Sequence, residues 1–315
     1  LVPFLKRRFP SVSLHLSTQA NCVNSESARI YGDLGFERII LGREVGLDEI
    51  ASIHAAVPHI ELECFVHGAM CLAYSGRCFL SAWMADRSAN RGDCAHSCRW
   101  KYRLRAGEAA LEEAERPGEL YPVEEGEDFT TILSSRDLAM IDHLGDLIDA
   151  GVTSLKIEGR MKSVYYAAVV TRAYRKMIDA HEGRIAVDVA RRYRDELDKV
   201  SHREFTTGFY YGRDEVSVPT TKSYQRQYLF LGTIGRRIGE REFELDIRNQ
   251  IRTGDEIEFI GPDVLAIPDS SFELFGEEGP VTQADHGKRY TVRTSASVEP
   301  GFLLRRPALP HETLA

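Results

Sequence analysis

An α/β region that gives way to an all-β one is the architecture this sequence predicts: a partial TIM-like (β/α) barrel followed by a small antiparallel β-barrel. Three observations carry that expectation. From Ser13 to about Ala180, short β-branched runs alternate with stretches of helical period, the pattern of βα units and a parallel sheet. From about 225 to 308, short alternating segments are separated by turn residues, as in a small β-barrel. No G-x-G-x-x-G turn follows any strand, which leaves an open doubly wound sheet without its phosphate loop.

The strands of the first region are expected at 13–17, 38–42, 61–68, 130–135 and 154–159, with helices at 23–34, 47–56, 136–150 and 163–181. In the helix at 136–150, Leu138, Ile141, Leu144 and Ile148 share one face, and Gly151 stands where a C-terminal glycine cap belongs. Five βα strands are fewer than a closed barrel needs, so the chain, which opens without methionine, is expected to start inside the fold. Between Arg105 and Asp128, nine acidic residues against Arg105 and Arg116 predict a solvated insertion at 106–128. A helix follows at 186–199. The domains are thus expected at 1–211 and 225–308, joined by a linker at 212–224.

Composition narrows the function. The chain has 315 residues, 43% hydrophobic and 28% charged, enough to bury a sizeable core. No apolar run approaches a membrane span and LVPFLKRRFP is no signal peptide, so a cytoplasmic protein with no membrane partner is expected. A net charge of -8 argues against a basic coat for non-specific nucleic-acid binding and turns attention to local patches. Six cysteines crowd between Cys22 and Cys98; in a reducing compartment that points to metal binding or catalysis rather than disulfides.

Four of them, Cys71, Cys78, Cys94 and Cys98, are spaced C-x6-C-x15-C-x3-C, with Gly76, Gly92 and Ser97 allowing tight turns. Thiolates bind soft metals, and this set suits either a structural zinc or a 4Fe-4S cluster. The wide first gap is poor for a zinc knuckle, yet spacing alone leaves both metals open. Cys64, inside ELECFVHG, reads as a core residue; Cys22, after the first strand, is read the same way, although it stands where barrels present active-site loops.

Further candidates lie at strand ends. Glu63 and His67 are four apart on one strand and so share a face, a pairing that suits proton handling or a plain buried hydrogen bond. Lys156 and Glu158 end the next strand. Beyond them Arg160, Lys162, Arg172, Arg175 and Lys176 interleave with Tyr165, Tyr166 and Tyr174, a cationic patch with aromatic platforms suited to an anionic substrate or a nucleic-acid backbone. The alternative is a solvated helix face with snorkelling cations. No hydrolase signature is present: there is no G-x-S-x-G, HETLA is not H-E-x-x-H, and Ser75 has no nucleophile context.

The stretch ELECFVHGAMCLAYSGRCFLS resembles the signature of the peptidase U32 family, and the likeness continues through RGDCAHSCRWKY, ERPGELYPVEE, SSRDL, SLKIEGRMKS and FTTGF. Within the family it looks most similar to the tRNA hydroxylation branch. That resemblance implies a barrel-like N-terminal domain and a 4Fe-4S cluster on Cys71, Cys78, Cys94 and Cys98. It also implies prephenate as co-substrate and a role in forming 5-hydroxyuridine at the tRNA wobble position; the 156–176 patch is then expected to hold the anticodon arm or prephenate. Glu204 stands in HREFTTGF where the family carries glycine. The family name also implies the alternative, a collagenase-like peptidase.

Overall fold

The computed structural model describes residues 1–71, 73–100, 136–212, 225–309 and 312, together with the backbone of short strands and a turn between 102 and 130. Two compact units make up the chain, Leu1–Met161 with Glu204–Thr221, and Lys162–Arg203 with Lys222–Ala315. No helix among the described residues is long and apolar enough to cross a membrane.

In the first unit, helix α1 (Val2–Arg8) precedes strand β1 (His15–Leu16). Helix α2 (Ser25–Asp33) starts where the Asn24 side chain accepts from Ser27 N at 2.8 Å, an N-cap that satisfies an otherwise orphaned amide. Strand β2 (Arg38–Ile40), helix α3 (Leu47–Ala56) with Asp48 and Glu49 in its first turn, and strand β3 (Glu61–Ala69) follow in the expected βα alternation. β3 is buried from Leu62 to Gly68, which is why its sequence reads as a continuous apolar run rather than an alternating one. Helix α4 (Leu80–Ala85) lies between the cysteines.

Within the acidic stretch the described backbone forms β4 (Tyr102–Arg105), β5 (Ala110–Glu113) and β6 (Leu120–Pro122) as a three-stranded antiparallel sheet, and β7 (Glu125–Gly126) paired with β8 (Phe129–Thr130). The insertion is therefore not a plain loop where it is described. The strand expected at 130–135 lies outside the described residues beyond Thr130.

The helix expected over 136–150 is instead strand β9 (Asp137–Ala139), a 3-10 turn at Ile141–His143 and the shorter helix α5 (Leu144–Asp149). Pairing wins over local periodicity here: β9 runs antiparallel to β3, with His67 opposite Ala139, and Met140 N donates to Val66 O at 2.9 Å. Leu138, Ile141 and Leu144 are buried as expected, whereas Leu147 takes the buried place and Ile148 is 38% exposed. Gly151, at φ 96°, closes α5 in the left-handed region that favours glycine. Strand β10 (Val152–Ile157) runs parallel to β3, and β11 (Phe205–Thr206) parallel to β9.

The sheet path β1-β2-β3-β9-β11, with β10 also on β3, has parallel strands β1, β2, β3 and β10 and does not close among the described residues. A complete TIM-type barrel is not what they form.

The second unit starts with α6 (Val164–His181), whose Ser163 hydroxyl accepts from Tyr166 N, and α7 (Val187–Arg194), which runs into a 3-10 turn at Asp195–Lys199. Strands β12 (Tyr228–Arg237), β13 (Glu242–Ile247), β14 (Ile251–Arg252), β15 (Ile257–Ile260), β16 (Ile267–Asp269), β17 (Glu273–Gly276), β18 (Gly279–Val281), β19 (Gln283–Ala284), β20 (Tyr290–Arg293) and β21 (Leu303–Pro307) follow. Eight form one antiparallel sheet in the order β16-β15-β21-β12-β13-β20-β17-β18, and β14 pairs β19. The sheet curls around a single core that includes Leu231, Phe243, Phe259 and Leu304. Its ends stay unpaired to each other, so it is a half-barrel rather than a closed one. The linker expected at 212–224 lies, after Gly212, outside the described residues.

Candidate metal centre

Cys71 follows the end of β3, Cys78 precedes α4, Cys94 stands three residues before the 3-10 helix Ser97–Arg99, and Cys98 lies within it. All four cysteines line one cavity of about 260 Å3, whose wall also carries Arg43, Phe65, Tyr74, Lys156, Glu158 and Arg160. Local backbone chemistry sets the cradle. At Gly76, φ 73° and a Cβ position 2.1 Å from Gln19 O exclude any side chain, so the loop between the first two cysteines approaches the strand-β1 end as closely as glycine allows. Asn90 Oδ1 accepts from Cys78 N at 2.9 Å, and the Ser81 hydroxyl accepts from Ala95 N at 2.8 Å.

The Cys94 thiol sulfur accepts from His96 N at 3.3 Å, the sort of N–H···S bond that stabilises thiolate. Burial pushes the Cys98 thiol up to about 11 and raises Cys94 as well, with the neighbouring Cys71 and Cys78 sulfurs adding to both shifts. Among the described residues no group of three or more His, Cys, Asp or Glu side chains converges on a point as one ion requires. Four thiols lining one cavity are a donor set of the kind that structural zinc and iron-sulfur clusters both use.

One clamp and one loop that sequence reasoning missed hold this arrangement. Arg99, next to Cys98, pairs with Asp137 at 2.6 Å, and its other nitrogen donates to Met70 O, next to Cys71, at 2.9 Å. Both charged side chains are buried, at 4% and 1% exposed. Arg43 lies flat on Phe65, 3.6 Å from the ring centroid, and 3.6 Å from Glu158; burial pulls its pKa below the usual guanidinium value. Ser75 donates its hydroxyl to Glu44 at 2.9 Å and accepts from Arg43 N at 3.2 Å, so it pins one loop to another.

The other sequence candidates separate. Lys156, Glu158 and Arg160 line the cavity. Glu63 and His67 do not: Glu63 accepts from Lys156 at 2.8 Å and Ser154 at 2.9 Å, while His67, 1% exposed, packs on Phe205 at 5.4 Å between centroids. Burial raises the Glu63 carboxyl, but hydrogen bonds from Lys156 and Ser154 outweigh it and leave the pKa lowered. Cys22 and Cys64 are core residues, with burial pushing their thiols up to about 11 and about 12.

Tyr165 and Arg172, expected on a solvent-facing patch, are interior to the second unit. Arg172 donates to Gly261 O at 2.7 Å and Val264 O at 2.9 Å, and pairs with Glu196 at 3.3 Å. Tyr165 stacks on Phe230 and accepts from Arg305, which also pairs with Glu196. Tyr166 and Tyr174 are buried beside them, and Lys162 donates to Ser201 O at 2.7 Å. An aromatic-cationic run satisfied inward offers no free platform. Arg175 remains exposed.

Residues 1–219 match the family described as Peptidase family U32, and residues 226–305 match its C-terminal domain. The chain is 34% identical to tRNA hydroxylation protein P of Escherichia coli, over 83% of this chain and 65% of that one. It is 36% identical to tRNA hydroxylation protein P1 of Bacillus subtilis, over 89% of this chain and 65% of that one. A protein named Collagenase from Porphyromonas gingivalis is 31% identical over 94% of this chain and 72% of that one. The chain thus spans just under two thirds of the length of the two tRNA hydroxylation proteins.

Proposed function

Since the chain belongs to the peptidase U32 family, we propose that it is an iron-sulfur-dependent tRNA-modifying enzyme that contributes to 5-hydroxyuridine at the wobble position. The observation that carries this reading is that Cys71, Cys78, Cys94 and Cys98 all line one cavity, whose wall includes Arg43, Lys156 and Arg160. The names of the Escherichia coli and Bacillus subtilis relatives supply the direction. In this reading the four cysteines hold a 4Fe-4S cluster, whose irons when bound offer electron transfer or Lewis acidity. Lys156 and Arg160 present cations to the carboxylates of a small organic acid, for which prephenate is the proposed co-substrate, while Arg43 adds a buried positive charge. Glu158, 3.6 Å from Arg43, is the carboxylate placed to hold or move a proton at the cavity wall. The tRNA partner is proposed to be met at its anticodon arm, in the cytoplasm, and the parallel strands are read as an arc of a (β/α) barrel.

Nucleoside analysis of bulk tRNA from a strain lacking the gene tests the proposal. Wobble 5-hydroxyuridine should fall and return when the gene is restored, whereas an unchanged level refutes it. The collagenase-like relative favours a second reading, a peptidase. Ser75, the serine on the cavity wall, weighs against it, because its hydroxyl is committed to Glu44 rather than to a histidine base. Cleavage of gelatin by purified protein in which all four cluster cysteines are replaced would favour the peptidase.

A further inference from the structure

We infer that the exposed aromatic residues Tyr74, Phe79 and Trp83, carried on the segment between the cysteines, form a stacking platform for unpaired RNA bases. The inference rests on the RNA-modifying reading above and moves the RNA contact from the 156–176 run, most of whose aromatic and cationic groups are satisfied inward, to the rim of the cysteine cavity.

Large aromatic rings are seldom left in water without a use, and here three occur within ten residues, at 64%, 74% and 69% exposure. Tyr74 lines the cavity itself, and Phe79 follows Cys78, which also lines it. Trp83 N donates to Phe79 O at 2.9 Å, so the two rings sit one helical turn apart on the same side of α4. The opposite side of that helix is committed: Ser81 and Met84 are buried, and Ser81 accepts from Ala95 N. The helix is thereby anchored inward at the metal loop with its aromatic side held outward.

Charge singles out the same segment. Residues 71–101 carry Arg77, Arg87, Arg91, Arg99 and Lys101 against only Asp86 and Asp93, in a chain where acidic residues outnumber basic ones by 48 to 40. Arg87 pairs with Asp93 and Arg99 with Asp137, but Arg77 and Arg91 are exposed and make no ion pair with a described residue. Exposed rings flanked by cations are the chemistry that holds a single-stranded nucleic acid, since any base offers a face to stack on and each phosphate meets a positive charge. A paired stem hides its bases, so the occupant is a loop. The cavity beside Tyr74 is then where a splayed base would be delivered.

The test measures binding alone, on the full-length, cluster-loaded protein, with a short fluorescent RNA hairpin carrying an unpaired loop and, as comparison, a blunt duplex of the same stem. The hairpin should bind more tightly than the duplex. Phe79→Ala and Trp83→Ala should each weaken the hairpin by roughly tenfold while iron content stays at the wild-type level. Arg77→Gln with Arg91→Gln should weaken hairpin and duplex alike and make the salt dependence shallower. Wild-type hairpin affinity in both aromatic variants overturns the inference. So does loss of concentration-dependent self-association in the variants with RNA affinity unchanged, which would make the surface a contact between copies. Because no turnover is read, a protein that stacks the hairpin yet makes no hydroxyuridine fails only the functional reading. One that modifies tRNA while its aromatic variants bind normally fails only the platform.

Discussion

Replacement of Asp137 by alanine is expected to destabilise the first unit by about 3–5 kcal/mol, because it removes one partner of a buried ion pair. The magnitude follows from burial. An exposed pair such as Arg293 with Glu273, at 48% and 59% exposure, contributes roughly 0–1 kcal/mol, since water competes for both charges. Arg99 and Asp137 are 4% and 1% exposed and 2.6 Å apart, so water competes little for either charge. Arg99 also donates to Met70 O, and it thus ties the Cys98 end of the cysteine segment to the Cys71 end. Denaturant unfolding followed by circular dichroism reads the loss, and iron per chain reads the loop. Asp137→Asn, which keeps one acceptor, should fall at the low end of the range. The double variant Arg99→Met with Asp137→Leu should recover most of the stability, because it removes both charges together, but not the iron, because the clamp is gone. An Asp137→Ala protein within about 1 kcal/mol of wild type would show that the pair is effectively solvated and would refute the reasoning.

Three further outcomes follow from the same geometry. Cys94→Ser should drop iron per chain and the broad visible absorption of a cluster while the C-terminal half-barrel still folds; unchanged iron content would remove Cys94 from the ligand set. Gly76→Ala should be far more damaging than Gly92→Ala, although both have positive φ. At Gly76 a Cβ would meet Gln19 O at 2.1 Å, whereas at Gly92 it meets nothing within 4 Å, so only the left-handed penalty of about 1–2 kcal/mol applies there. Comparison of the two midpoints and iron contents checks this. At Glu196 burial raises the carboxyl, but hydrogen bonding and charge from Arg305, then Lys199, outweigh it and leave the pKa lowered. A lowered carboxyl pKa contributes stability above the unfolded value of about 4.3 that is lost as pH falls through the folded one. The second unit should therefore weaken below about pH 4, and Glu196→Gln should flatten that acid limb in thermal melts taken across pH.

That Cys71, Cys78, Cys94 and Cys98 lie around one cavity was legible because the signal is local: thiols at close spacing with small turn residues between them. Most of the βα alternation was legible for the same reason, and α3 spans the expected 47–56. What failed were features decided by residues far apart in sequence. Leu138, Ile141 and Leu144 satisfy a helical period and also satisfy a strand followed by a turn, and only the edge offered by β3 decides between them. Arg99 reads as one more cation until its partner arrives 38 residues later in Asp137.

The 156–176 run is the sharpest case. Tyr165, Tyr166, Arg172 and Tyr174 are the composition of a nucleic-acid face, and the same residues make an interior when acceptors are at hand. Glu196 and the carbonyls of Gly261 and Val264 supply them. A cationic-aromatic run is evidence of an outward platform only where its guanidiniums lack such acceptors and its rings remain in water. By that criterion the segment holding Tyr74, Arg77, Phe79, Trp83 and Arg91 qualifies and the longer, more basic run does not. The consequence can be measured: Arg172→Ala should cost the second unit stability and leave hairpin affinity near wild type, while Trp83→Ala should do the reverse. Equal loss of affinity in both would place RNA on the helix after all.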